Sequence, residues 1–263
     1  MALSLLVAVI YGCSDRATSP GQRKPMEIAV SLKEFGMSSN VTRITLKVTG
    51  AGFDSIMLDT GIVNGLARFD IEVPFGRARV FELSAFSEAQ ILLYHGVDTV
   101  DVSAGSITEV PIYMSPQVPM IKISPMYQNI GFAQPSSFFS IEVYNVDSLF
   151  GLSLRVEIDS TVIHLDSAFA GGYLGNAENV LFFSQLFSDY IPIGYTMRGN
   201  QQPQGVSGSG EIGRVYYTAK SSGTTALTIN PGTLKLIDWQ GNPLPRQRQL
   251  YIENGAVEVR SGS

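Results

Sequence analysis

Arg43-Ile44-Thr45-Leu46-Lys47-Val48-Thr49 alternates polar and apolar residues without a slip, and Arg68-Phe69-Asp70-Ile71-Glu72-Val73 does the same. Successive side chains of a strand point to opposite faces. A period of two therefore puts Ile44, Leu46 and Val48 on one side and Arg43, Thr45 and Lys47 on the other. A helix needs an apolar period near 3.6, which neither stretch has. Both read as antiparallel strands, dry on one face and wet on the other. Further strands are expected at residues 80–86, 91–94, 99–102 and 108–114. Gly50-Ala51-Gly52, Gly61, Pro74-Phe75-Gly76 and Ala104-Gly105 supply the turns between them. Short strands at this spacing, with no helical pattern between, predict a β-sandwich.

The same pattern runs through the second half, so the chain is expected to be all-β. Its 263 residues suit two modules rather than one, each large enough to bury a core without disulfides or metal. A 44% hydrophobic and 16% charged composition describes folded material rather than a disordered chain. Ser115-Pro116-Gln117-Val118-Pro119 breaks the strand pattern with two prolines and no charge. It separates modules at 26–115 and 116–263 and is too short to let them swing freely. A net charge of −5, with no Lys/Arg cluster, offers no phosphate track, which argues against DNA and RNA as partners.

Residues 2–10 form an unbroken apolar run that ends at Tyr11-Gly12-Cys13, followed by the polar stretch 14–20. The run is too short for a mature membrane-spanning helix and has the length of a signal-peptide core. Cys13, the single cysteine, stands at its end. This resembles a bacterial lipoprotein signal, in which the cysteine thiol is lipidated and becomes the new N-terminus. Tyr11 departs from the usual small residue, and no Lys or Arg precedes the run. On this reading 1–13 is the signal and 14–25 a flexible tether. The membrane is reached through the lipid anchor only, and the protein is exported to the cell envelope. Ser14 rather than Asp after the cysteine implies the outer membrane or cell surface. A plain secretory signal with an incidental cysteine is the alternative.

Val73-Pro74-Phe75-Gly76-Arg77-Ala78-Arg79-Val80-Phe81 resembles a segment of immunoglobulin-like modules in bacterial surface lipoproteins. In the second half, Phe138 to Val146 ends a strand on Asn-Val, and a glycine-led strand runs from Gly151 to Ile158-Asp159. A Gly205–Gly213 turn precedes a Tyr-rich strand. An Asp-x-x-Gly turn at Asp238 and a final Gly255-Ala256-Val257-Glu258-Val259 strand follow. This order resembles a cohesin-type domain, the jelly-roll-like sandwich that binds dockerin modules. The resemblance implies an immunoglobulin-like sandwich followed by a cohesin-like one. It also implies a dockerin-bearing partner seated on an open sheet face that includes the strand matching 152–158.

Alternation says which residues of that strand can take part: Leu152, Leu154, Val156 and Ile158 face the core, and Ser153, Arg155 and Glu157 face out. Gln185 and Phe187 share a parity on the neighbouring segment, which is expected to be a strand over 180–187. An outward Phe187 is a good anchor; the opposite parity puts Phe187 in the core and Leu186 outside. Type I members of the family favour Asn and Asp near the start of the first strand, where this chain has Gly151 and Ser153. That departure puts type I specificity in doubt.

The parts of a catalytic site are missing from the pattern, and the chain is read as a binding protein, not an enzyme, with no cofactor and no metal. His95 and His164 lie far from any second ligand at metal spacing. Gly208-Ser209-Gly210-Glu211-Ile212-Gly213 has the letters of a dinucleotide fingerprint. A strand-forming run follows it, however, where the mechanism needs a helix N-terminus, so it is expected to be a glycine turn. Asp238-Trp239-Gln240-Gly241-Asn242 lacks the acidic residues of a useful calcium loop and reads as a tight turn. Trp239, if exposed, is a sugar-stacking candidate, with Tyr173, Tyr190 and Tyr195 in support. Polysaccharide binding on the same sandwich is thus the second functional class, beside dockerin-type protein binding.

Overall fold

The computed structural model describes residues 23–31, 40–103, 110–131, 136–199, 204–245 and 250–260. The leader with Cys13, residues 14–22 and the Ala104-Gly105 turn lie outside them. Every regular element among the described residues is a strand, so the protein is all-β. The chain forms two compact units, Met1–Gln117 and Val118–Ser263.

The first unit contains β1 (Arg23–Ser31), β2 (Val41–Thr49), β3 (Ile56–Gly61), β4 (Leu66–Pro74), β5 (Gly76–Ser87), β6 (Leu92–Val102) and β7 (Ser115–Pro116). β1 and β4 form a two-stranded antiparallel sheet; the others form a five-stranded sheet in the order β3-β2-β5-β6-β7. Ile44, Leu46 and Val48 of β2 are buried, as are Phe69, Ile71 and Val73 of β4, and the polar residues between them are not. The period of two is thus a burial period.

Three details differ from the sequence reading. Arg23, Lys24 and Pro25, expected at the end of the tether, are templated by Pro74, Val73 and Glu72 and belong to β1. The strands expected at 91–94 and 99–102 are one strand, Leu92–Val102, which runs through Gly96. A Cβ there would collide with the carbonyl of Tyr113 and meet Ile112 Cγ2 at 2.7 Å, so the glycine lets residues 112–113 cross close over β6. The strand expected at 108–114 is absent over 110–114. The chain instead pairs at Ser115 and Pro116 with His95 and Tyr94, where an edge position tolerates a residue with no N–H to donate.

Arg79 locks the Pro74-Phe75-Gly76 turn from inside. It is 5% exposed, donates from Nε to the Pro74 carbonyl at 3.0 Å and from Nη1 to Ala51 at 2.7 Å, and from Nη2 to Phe75. Its guanidinium lies 4.7 Å from the Phe53 ring centroid. Gly50 makes room for it: a Cβ there would meet Arg79 Nη1 at 2.6 Å.

The second unit contains β8 (Met120–Ser124), β9 (Tyr127–Gly131), β10 (Ser137–Leu149), β11 (Gly151–Glu157), β12 (Ile163–Ala170) and β13 (Val180–Ser184). After these come β14 (Tyr190–Met197), β15 (Val206–Ala219), β16 (Gly223–Ile229), β17 (Lys235–Ile237), β18 (Tyr251–Glu253) and β19 (Gly255–Arg260). One sheet has the order β12-β15-β10-β8-β18. The other has the order β13-β14-β11-β16-β19-β9, with β17 also on β11. Phe139, Ile141, Val215 and Tyr217 of the first sheet and Leu154, Ile191, Ile193, Leu227 and Val257 of the second share one buried cluster. Two sheets over one core make this unit a sandwich. Its pairings are antiparallel except at the chain's return, where β18 lies parallel to β8 and β19 parallel to β9. Gly208 to Gly213 lie inside β15 rather than in a turn. Of the three fingerprint glycines only Gly208 has a positive φ, of 115°, and β15 meets β10 through register shifts there. The extra residues are absorbed as bulges.

Candidate partner-binding face

β11 turns Leu152, Leu154 and Val156 into the core and Ser153, Arg155 and Glu157 outward. The cross-strand register sets what stands beside each. Leu181 of β13, Thr196 of β14 and Gly151 of β11 share one row. Phe183, Gly194 and Ser153 share the next. Pro192 then faces Arg155, and Tyr190 faces Glu157. On β13, Val180 is buried while Leu181 and Phe183 are 52% and 63% exposed. Gly194 places no side chain between Phe183 and Ser153, which leaves a gap in that row beside Phe183.

β13 ends at Ser184, so Gln185, Leu186 and Phe187 form a turn rather than the strand expected over 180–187. Neither parity puts a residue of this turn in the core: Gln185, Leu186 and Phe187 are all exposed. The Phe187 amide donates to the Tyr190 carbonyl at 3.1 Å, and the two rings stack at 4.5 Å with a 15° interplanar angle. The Arg155 guanidinium lies 5.0 Å from the Tyr190 centroid and bonds Glu157 Oε1 through Nη2 at 2.5 Å. Asn230 Nδ2 donates to the same carboxylate oxygen at 2.7 Å. Glu157 is held below the usual carboxylate range, first by the Asn230 amide and then by Arg155. Phe187, Tyr190, Arg155, Glu157 and Asn230 thus form one continuous string of contacts.

A break in the ladder supports that string. β17 pairs with the start of β11 and β16 with its end. Arg155 falls between them, where its amide donates to Thr233 Oγ1 at 3.0 Å and its carbonyl accepts from the Asn230 amide at 2.9 Å. The Asn230–Thr233 turn therefore does a strand's work at this point. Leu181, Phe183 and Asn230 were not singled out from sequence. The signal for the first two was present, because Val180-Leu181-Phe182-Phe183 is apolar on both parities and one parity must face away from the core.

The remaining candidates scatter. Tyr195 is buried and donates to the Gly171 carbonyl at 2.6 Å. Tyr173 donates to the Val206 carbonyl at 3.2 Å, and burial pushes its hydroxyl up to about 12. Trp239 is exposed at a turn closed by Asp238, whose Oδ1 accepts from the amides of Gln240 and Asn242 at 2.9 Å each. His95 Nε2 sits 3.2 Å from Glu82 on the outer face of the first unit, and His164 is exposed on β12. Among the described residues no three His, Cys, Asp or Glu side chains stand where they could hold a metal ion.

Comparison with known proteins gives structural matches only. The chain is similar to cohesin domains. A non-cellulosomal cohesin from the archaeon Archaeoglobus fulgidus matches at 17% identity and a TM-score of 0.42, over 55% of this chain and 91% of its own. The third cohesin of ScaC from Acetivibrio cellulolyticus, solved with the ScaB dockerin, matches at 16% and 0.45, over 54% and 98%. A type II cohesin from the cellulosome of Acetivibrio cellulolyticus matches at 13% and 0.44, over 53% and 94%. No family model and no curated protein matches the chain.

Gly151 leaves no room for a side chain at the start of β11. It is buried, and a Cβ there would meet Thr196 Oγ1 at 2.8 Å and Thr196 Cβ at 3.0 Å. An Asn or Asp at this position would displace Thr196, whose side chain fills the space beside Gly151.

Proposed function

We propose that this chain is a non-enzymatic binding protein whose second unit captures a dockerin-type module on the outward face of β13, β14 and β11. The observation that carries the reading is the exposed pair Leu181 and Phe183 beside the gap at Gly194. Two large apolar side chains on the open face of a sheet are costly to leave in water and match the apolar centre of an interface. The Phe187–Tyr190–Arg155–Glu157 string then forms a rigid, internally neutralised rim. The cohesin resemblance in the sequence supports the partner class, and it is independent of the side-chain exposures. In the same proposal Cys13 carries the lipid, the protein sits at the outer membrane or cell surface, and residues 26–115 are an immunoglobulin-like spacer.

The test is a capture experiment on the organism's secreted proteins with the chain from Ser14 onward as bait. Wild-type protein retains a dockerin-bearing protein, and a Leu181→Asp/Phe183→Asp variant loses it. Retention by the variant overturns the face; an eluate without any dockerin module overturns the partner class. Loss of labelled fatty acid on Cys13→Ala, with release of the protein from the membrane fraction, checks the anchor.

A further inference from the structure

The other sheet of the second unit has an outward face of its own, which the partner face above does not use. β10, β15 and β12 are neighbours there. Phe138 stands across from Tyr216, and Arg214 stands between Ser140 on one side and Phe169 on the other. Phe139, Val215 and Tyr217, which alternate with them, are core residues. The pleat of the sheet therefore aims these aromatics at solvent. Phe138 is 40% and Phe169 58% exposed, with Tyr216 half-buried between them. The Phe138 and Tyr216 centroids are 5.6 Å apart, and those of Phe169 and Tyr216 are 5.8 Å apart.

Polar groups are fixed beside the rings. The Arg214 guanidinium lies 4.6 Å from the Phe138 centroid and bonds Glu211 Oε2 at 2.8 Å. That oxygen also accepts from Ser140 Oγ at 3.0 Å. Thr218 Oγ1 donates to Asp166 at 3.3 Å on the next row. Neighbouring strands lie about 4.8 Å apart, so three rings over three strands cover a strip on the order of 10 Å across. This is the width of a short run of sugar rings.

The charge pattern selects the occupant. Arg214 is paired with Glu211, and the neighbouring acids Glu142 and Asp166 leave the face with an acidic excess, which disfavours an anionic polymer or a nucleic acid. What it offers is apolar ring surface for C–H faces and a planar donor–acceptor pair for adjacent hydroxyls. A neutral polyhydroxylated chain presents both along its length. We propose that the outward face of β10, β15 and β12 binds a neutral polysaccharide. Phe138, Tyr216 and Phe169, set at 45° and 86° to one another, form a ridged apolar surface against which C–H groups pack, and the Arg214–Glu211 pair reads the hydroxyls. This site is separate from the dockerin-type face and does not depend on it.

The experiment is affinity electrophoresis of the full chain from Ser14 through gels containing β-glucan, xylan, mannan or galactan, with pull-down on amorphous cellulose. Wild-type protein is retarded by at least one. Phe169→Ala and Tyr216→Ala each weaken that retardation about tenfold, Arg214→Lys weakens it less, and Phe183→Ala on the opposite sheet leaves it unchanged. Phe138→Ala, at an exposed position, supplies a second ring variant should Tyr216→Ala fail to fold. No retardation by any of the polysaccharides overturns the proposal, as does retardation that survives both ring variants. Concentration-dependent self-association abolished by Phe169→Ala also overturns it, assigning the strip to a second copy of the chain.

Discussion

The outward sheet faces of the two units obey the same alternation and look nothing alike. On the first unit, Arg43 reaches Asp59 and Gln90 across strands, Thr45 bonds Asp59, and Lys47 reaches Glu82, which also meets His95. Charge is spent pair by pair along the face, and Met57 and Val97 stand singly at either side of the Lys47–Glu82 pair. On the β13-β14-β11 face of the second unit the charges collapse into the Arg155–Glu157 pair, and the rest is Leu181, Phe183, Ser153, Tyr190, Pro192, Gly194 and Thr196. A period of two fixes which residues leave the sheet; what those residues are decides whether the face meets water or a partner.

The largest effect that separates the units is predicted at Arg79. Arg79→Met leaves three carbonyls in and near the β4–β5 turn without their donor, at a cost of about 3 kcal/mol. Hydrogen exchange read strand by strand should show lost protection in β4 and β5 and none in residues 118–260. Equal loss in both units breaks that separation. Next comes Phe183→Asp, which should weaken capture of a dockerin-type partner by about 2 kcal/mol, near thirtyfold, with the melting temperature unchanged. The same substitution at Met57 on the first unit should change nothing.

A smaller effect is expected from Arg155→Ala, which removes a guanidinium packed between Tyr190 and Glu157. Capture measured by surface plasmon resonance should weaken about fivefold, chiefly through the off-rate. Exchanging the pair as Arg155→Glu/Glu157→Arg keeps neutrality and should restore part of the loss. The smallest effects follow pH. Glu157 and Glu82 both titrate below their ordinary 4.5 in the folded protein, through Asn230 first for Glu157 and through His95 first for Glu82. A depressed folded value means the contribution is complete above pH 4.5 and fades as pH falls through the folded value. Stability should therefore be flat on this account from neutral pH to about pH 5 and decline below it. Glu82→Gln should remove part of that acid slope at a neutral-pH cost of no more than about 0.5 kcal/mol.

The strands were legible because Ile44, Leu46 and Val48, and later Leu152, Leu154 and Val156, each report a buried face with no help from distant residues. The outward positions Ser153, Arg155 and Glu157 came with them for the same reason. What stayed hidden depends on partners far away in the chain. Residues 91–94 and 99–102 read as two strands until Tyr113 is seen to cross close over Gly96 between them. Gly208 to Gly213 read as a turn until β10 supplies a bulged partner. Nothing in the sequence around Arg79 announces the carbonyls of Ala51, Pro74 and Phe75 that surround it. Phe187 was ambiguous because β13 ends at Ser184 and parity has no meaning in the turn that follows.

The parallel return of β18 onto β8 and of β19 onto β9 has a mechanical consequence. A pull that separates the beginning of the second unit from its end runs along these strands, so it slides them past one another. Hydrogen bonds between parallel neighbours are then strained together in shear rather than peeled one at a time, and rupture demands that many fail at once. A domain wired in this way resists tension applied between its first strand and its last.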